Sequence, residues 1–213
     1  MLRLALPDRP LHLVCLGAHP DDIEIGAGGA ILALAAEGRL ASATWLVLTG
    51  SLERADEARI AAAAAVAPLV PDVRLAALRD GYLPDAWAAA KDAVEALRRD
   101  IDPDLVLTHR VDDAHQDHRV VAELTTTAFR DHLVLEYEIP KWDGDLGRPN
   151  VYLPLTGDTV ARKVDLLRAA FPSQAGRDWF GEDTFRALAR LRGMECRAPE
   201  GLAEAFVGRK ITL

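Results

Sequence analysis

The sequence predicts an α/β fold with a mostly parallel sheet covered by helices on both faces. Three observations carry this. Short apolar runs alternate along the chain with longer amphipathic ones, the pattern of strand–helix–strand units. The strand-like runs are nearly unbroken in their apolarity, as strands buried on both faces require. With 213 residues, 50% of them hydrophobic and 27% charged, the chain can bury one full core without staples. No internal repeat, low-complexity tract or linker divides it, so a single domain over 1–213 is expected.

Leu11 to Gly17 is the first strand. Gly26 to Glu37 is a helix closed by Gly38. Thr44 to Thr49 is the next strand, and Leu52 to Val66 an alanine-rich helix with Pro68 beyond its end. Val73 to Leu78 is a third strand, followed by a loop over Asp80 to Pro84. Asp85 caps a helix to Arg99, and Asp104 to Thr108 is the fourth strand. His109 to Asp113 is a polar loop, with a helix from about His115 to Arg130. His132 to Tyr137 is the fifth strand. Glu138 to Pro149 has the Gly/Pro signals of a loop. Helices follow over Thr156 to Ala170 and Glu182 to Arg192. The last twenty residues carry no clear pattern.

Charge and cysteine content narrow the function. Asp and Glu number 33 against 25 Lys and Arg, a formal net charge of −8. No basic cluster exceeds Arg98-Arg99, so nucleic acid and anionic lipid are not expected partners. Cys15 and Cys196 lie far apart and form neither a disulfide framework nor a thiolate zinc site. Asp8, Arg9 and Pro10 interrupt the apolar start, which makes a poor signal peptide. No run approaches 18 apolar residues, so no membrane span is expected and the cytoplasm is the expected location.

Open parallel sheets bind ligands at the carboxyl ends of their strands. The first strand runs into Ala18-His19-Pro20-Asp21-Asp22-Ile23-Glu24, one histidine and three carboxylates. Imidazole and carboxylate together suit a divalent metal. An acidic helix start would explain this cluster alone. The fourth strand, however, ends in a second one, Thr108 to His118, with three of the six histidines. His115 and His118, three apart, face one side of a helical turn. Two such clusters at one sheet edge favour a metal site. Spacing does not choose between His115 and His118 as ligand. Gly26-Ala27-Gly28-Gly29 suggests a rival, a non-catalytic nucleotide or metabolite binder. The full GxGxxG spacing is absent, and three carboxylates at that mouth would repel phosphate. Close packing of helix on sheet explains the glycines better. No GxSxG elbow is present, which argues against a serine hydrolase.

The pairing of Ala18–Asp22 with an Asp-x-His-x-Asp-His segment, Asp113–His118, resembles the PIG-L/LmbE-like metal-dependent de-N-acetylases. Weaker likenesses are Arg54-x-x-Glu57, Pro172-Ser173-Gln174, Arg192-Gly193-x-Glu195 and Ala203-Glu204-Ala205-Phe206. Many members place glutamate directly after the two aspartates, whereas here Ile23 intervenes before Glu24. The resemblance implies a Rossmann-like fold and a hydrolase that removes an N-acyl, typically N-acetyl, group from an amino-sugar conjugate. It implies His19, Asp22 and His118 as ligands of zinc or another divalent metal. It implies Asp21 as general base, His115 as the group that stabilises or protonates the tetrahedral intermediate, and Asp117 as the residue that tunes His115. Arg54 and Asp80 fall where members contact substrate. An assembly of identical chains is compatible with it. The loop after the fifth strand reaches toward the same edge, so Trp142 could stack on a sugar and Arg148 or Lys141 could meet an anionic group. His109 is either a residue behind the metal ligands or, the preferred reading, a loop histidine, and His12 and His132 are read as structural.

Overall fold

The computed structural model describes residues 5–211; the apolar start at 1–4 and residues 212–213 lie outside them. Its elements are β1 (Leu11–Gly17), α1 (Asp22–Ala36), β2 (Leu40–Thr49), α2 (Leu52–Val66) and β3 (Asp72–Leu78). They continue with α3 (Trp87–Asp100), β4 (Leu105–His109), α4 (Gln116–Ala128), β5 (Leu133–Tyr137) and β6 (Val151–Leu155). The chain ends with α5 (Gly157–Ala170), a 3-10 turn at Pro172–Gln174, α6 (Glu182–Cys196) and β7 (Leu202–Gly208).

The seven strands form one sheet in the order β3-β2-β1-β4-β5-β7-β6. Strands β1 to β5 run parallel, and β7 is antiparallel to both β5 and β6. Alternate residues of β1 enter opposite cores. Leu13 and Cys15 join the layer with α1, α2 and α5, whereas Val14 and Leu16 join the layer with α3 and α4. Because β1 pairs β2 on one side and β4 on the other, the strand order reverses between β1 and β4. In open sheets such a reversal marks where a ligand crevice forms, beyond the carboxyl ends of the two strands.

Features that differ from the sequence pattern include the start of α3, at Trp87, where Ala86 and not Asp85 is the N-cap. Helix α1 starts at Asp22, four residues before Gly26, so Asp22 and Glu24 lie in its first turn. Carboxylates are favoured there by the helix dipole. Strand β2 starts at Leu40 rather than Thr44. Strands β6 and β7 have no counterpart in the sequence pattern. Edge strand β6 contains Pro154, which an edge tolerates and an inner strand would not.

The glycines of α1 let the helix approach the sheet. A Cβ on Gly26 would come 2.2 Å from Tyr137 Cδ2, and one on Gly29 would come 2.6 Å from Leu155 Cδ1. The N–H groups of Gly29 and Ala30 donate to Glu204 of β7 at 2.8 and 2.7 Å. Lys163 of α5 donates to Glu204 and to the Ile25 carbonyl, each at 2.6 Å. The glycine run thus lies inside α1, and the Gly29 and Ala30 N–H groups meet the protein's own carboxylate rather than a phosphate. Two of the short motifs also meet each other, and a third reaches the loop after β5. Glu57 accepts from the N–H and Oγ of Ser173 at 2.9 and 2.7 Å, and Arg192 donates to Glu138 at 2.6 and 2.9 Å. Among the described residues no helix is long and apolar enough to cross a membrane.

Candidate metal centre

The junction between β1 and β4 is built on Ala18. Its carbonyl accepts from Thr49 Oγ1 at 2.6 Å and from the Thr49 N–H at 2.9 Å. Its own N–H lies 3.0 Å from His109 Nε2. The next residues turn sharply, and the His19 N–H donates to Asp22 Oδ2 at 2.7 Å. The first cluster is thereby presented at the N-terminus of α1, facing the start of α4.

Three side chains form a triangle there, with Asp22 meeting the two histidines through different carboxylate oxygens. His19 Nδ1 lies 3.2 Å from Asp22 Oδ2 and 3.2 Å from His118 Nε2, and His118 Nε2 lies 3.5 Å from Asp22 Oδ1. Donors bound at about 2.0–2.1 Å around a tetrahedral ion stand about 3.4 Å apart. The triangle therefore fits a divalent metal with mixed N/O ligands. Potential ligand atoms also converge in three overlapping groups, His19 with His115 and His118, Asp22 with His109 and His118, and His19 with Asp80 and Asp117.

Each imidazole of the triangle has a carboxylate within ion-pair distance of its other nitrogen, though neither contact has hydrogen-bond geometry. Asp113 Oδ2 lies 3.2 Å from His118 Nδ1, and Asp80 Oδ1 lies 3.0 Å from His19 Nε2. Such partners orient metal-binding histidines and raise their basicity. Asp22 has its own neighbour in His109, whose Nε2 is 3.1 Å from Oδ2. His109 is fully buried and stacks on His118 with ring centroids 3.9 Å apart. Read from sequence, His109 is a loop residue or stands behind the ligands. It is in fact the last residue of β4 and belongs to the cluster. Asp113 opens the second motif, yet sequence reasoning assigned it no role at the site.

Asp21 is buried beside the triangle, paired with Arg54 Nη2 at 2.9 Å. Its Oδ2 has no hydrogen-bond partner among the described residues. Burial pushes the carboxyl up, Arg54 pulls it back, and the net displacement is upward. His115 caps α4, its Nδ1 accepting from the Asp117 N–H at 3.2 Å. Its ring lies 4.6 Å from that of His118 and 4.9 Å from that of His19. Burial, then the charges of His118 and His19, hold His115 below the usual imidazole range, with Asp117 acting the other way. Burial likewise pushes His109 down to about 4 and the Glu24 carboxyl, beneath the site, up to about 8.

The structure brings together His19, Asp21, Asp22, Arg54, Asp80, His115, Asp117 and His118. The Asp117 carboxylate is not turned to His115; it accepts from the N–H groups of Gly81 and Leu83. Trp142 and Arg148 do not reach the cluster. Trp142 donates to Asp178 at 2.9 Å and packs edge-on to Trp179, and Arg148 is exposed. Lys141 does reach it, but its ammonium is held by Asp113 at 3.0 Å and Asp145 at 2.7 Å. His12 and His132 are structural, bonded to Ser42 and Asp102.

Several solved structures share this fold. The conserved protein TT1542 from Thermus thermophilus superimposes with a TM-score of 0.75 at 23% identity, over 95% of this chain and 96% of its own. An N,N'-diacetylchitobiose deacetylase from Pyrococcus horikoshii gives 0.72 at 21%, over 92% and 83%. GalB, a 4-carboxy-2-hydroxymuconate hydratase from Pseudomonas putida, gives 0.70 at 19%, over 94% and 98%. At these identities the likeness shows the fold alone. No curated protein sequence matches the chain significantly. The family profile described as PIG-L, GlcNAc-PI de-N-acetylase, does match residues 14–129, more than half of the chain, from inside β1 to the end of α4. That stretch holds both polar clusters, and the chain belongs to the PIG-L family.

Proposed function

We propose that this protein is a zinc-dependent hydrolase that removes an N-acyl group, an N-acetyl group in the simplest case, from an amino-sugar conjugate. The products are a carboxylate and a free amine. One observation carries the reading: the His19, Asp22 and His118 side chains converge within 3.2–3.5 Å of one another beside the buried carboxylate of Asp21. The family match supports it, because the matched stretch contains all four residues. The hydratase neighbour shows why the fold by itself would not suffice.

Three protein ligands suit a catalytic zinc, which when bound lowers the pKa of water toward neutrality and polarises a carbonyl. The protein's own groups supply the rest. Asp21 takes the proton of the attacking water through its unpartnered Oδ2, while Arg54 keeps the carboxylate anionic against burial. His115, presented from the cap of α4, stabilises or protonates the tetrahedral intermediate, and the proton that Asp21 has taken from water is available to the departing amine. Asp117 supports the cationic form of His115 through its charge. Arg54 and Asp80 contact the polar groups of the sugar. Trp142 and Arg148, outside the cluster, are assigned to the far part of a longer conjugate. The two free, buried cysteines are in keeping with a cytoplasmic enzyme.

Metal analysis of the purified protein, with amine release from N-acetylglucosamine conjugates, tests the proposal. Bound zinc is expected, with activity lost to a chelator and restored by Zn²⁺. Metal-free protein that gains no activity from added Zn²⁺ would overturn it.

A further inference from the structure

Asp117 sits next to the proposed ligand His118, yet its carboxylate serves a different segment. Oδ2 accepts from the Gly81 N–H at 2.7 Å, and Oδ1 accepts from the Leu83 N–H at 3.0 Å. The side chain is completely buried, so both bonds are charge-assisted and shielded from water. Gln116, the residue before it, donates to the Gly81 carbonyl at 3.2 Å. The first turn of α4 thus grips the turn after β3 at both the N–H and the carbonyl of Gly81.

The turn's other backbone bonds are local, from the Tyr82 N–H to the Arg79 carbonyl and from the Asp85 and Ala86 N–H groups back to Tyr82 and Leu83. Gly81 has φ +79°, a left-handed conformation natural to glycine. Leu83 is fully buried in the core beneath α3 and α4. Asp80 is mostly exposed at the rim, with its Oδ1 3.0 Å from His19 Nε2. The same nitrogen lies 3.5 Å from Asp117 Oδ2. Where Asp80 stands therefore depends on where Gly81 is held.

We propose that Asp117 is a positioning residue whose buried carboxylate locks the 80–83 turn, so that Asp80 meets the outer nitrogen of His19 at the rim of the site. The effect on turnover rests on the hydrolase reading above; the lock on the turn does not. An asparagine at 117 offers one acceptor where two are needed and sets its NH₂ against a backbone N–H. Asp117→Asn should therefore free one end of the turn. A role limited to tuning His115 would leave the turn alone.

Wild type, Asp117→Asn, Asp80→Asn and the double variant, all zinc-loaded, separate the two roles. Amide exchange at Gly81 and Leu83 reads the lock directly. In D117N it should rise about tenfold or more, the loss of one buried hydrogen bond, while the central amides of α4 keep their protection. With an N-acetylglucosamine conjugate, D117N should raise KM more than it lowers kcat. D80N should raise KM without changing exchange, and the double variant should add little to D117N. If D117N does not fold, Gln116→Ala removes only the bond to the Gly81 carbonyl and should show a smaller rise at Gly81. Unchanged exchange at Gly81 and Leu83 would overturn the proposal. So would an effect confined to kcat with KM intact. If no conjugate is turned over, the hydrolase reading fails, and exchange alone still decides for or against the lock.

Discussion

Asp113 stands behind His118, with its Oδ2 3.2 Å from Nδ1, the ring nitrogen turned away from His19 and Asp22. The Asp113 carboxylate is itself held by Lys141 at 3.0 Å and by the His115 N–H at 2.8 Å. Burial opposes its ionisation, but the contact with His118 and the neighbouring charges hold it well below the usual carboxylate range. A chain of contacts thus runs from the loop after β5, through Lys141 and Asp113, to a proposed metal ligand.

Asp113→Ala is therefore expected to weaken zinc binding by about 10–100-fold, as loss of an orienting carboxylate does elsewhere. Competition against a chromophoric chelator measures it. Lys141→Met should give a smaller loss in the same assay. Unchanged affinity in D113A would reduce Asp113 to a cap of the loop.

Asp21 and His118 should separate by what each variant keeps. His118→Ala is expected to lose both zinc and activity, because two ligands hold the ion poorly. Asp21→Asn keeps the shape and loses the base. It should retain zinc and lose about 10²–10⁴-fold in kcat/KM. Metal content and kcat/KM measured on one preparation decide. A D21N protein that turns over normally would remove Asp21 as base.

The parallel half of the sheet and both polar clusters were legible because each strand there is a short, unbroken apolar run followed by a chemically distinctive segment. The antiparallel edge was not. Val151–Leu155 holds a proline and is only partly buried, and Leu202–Gly208 interleaves Glu204, whose partners are Lys163 and α1. Burial of that carboxylate makes sense only once three distant segments are in contact. For a related reason the sequence left His109 between a loop and a place behind the ligands. A histidine ending a strand reads as loop unless the neighbouring strand is known to present Asp22 to it. Asp117 was read through its sequence neighbour His115, while its carboxylate bonds a turn more than thirty residues away.

Gly26 tests the packing of α1. Its missing Cβ would stand 2.2 Å from Tyr137 Cδ2, and that ring is fixed because Tyr137 Oη donates to the Leu16 carbonyl at 2.7 Å. Gly26→Ala is expected to cost about 1–3 kcal/mol through overpacking. At about 2–4 °C per kcal/mol for a domain of this size, thermal unfolding should detect it. An unchanged melting temperature would mean that α1 can lift from the sheet freely.

The last prediction concerns acid stability, far from the metal site. Arg9 donates to both oxygens of Asp104, at 2.8 and 2.6 Å, and the His12 N–H adds a bond at 2.9 Å. Chiefly through the Arg9 hydrogen bonds, the carboxyl is held down to about 2. In the unfolded chain it titrates near its ordinary value of about 3.9. Between these values the unfolded state binds more protons, so stability falls as pH falls. The contribution is complete above about pH 4 and is lost as pH drops through about 2. Arg9 is largely exposed, so the contribution is small and salt-sensitive. Asp104→Asn keeps an acceptor for the His12 N–H and removes the charge. Its melting temperature should lie below that of wild type at about pH 6. The gap should narrow steadily below about pH 4 and shrink at about 0.5 M salt. Thermal unfolding of both proteins across this range measures it. A gap of constant size from about pH 6 to 3, indifferent to salt, would show that the ion pair adds nothing beyond the bond to His12.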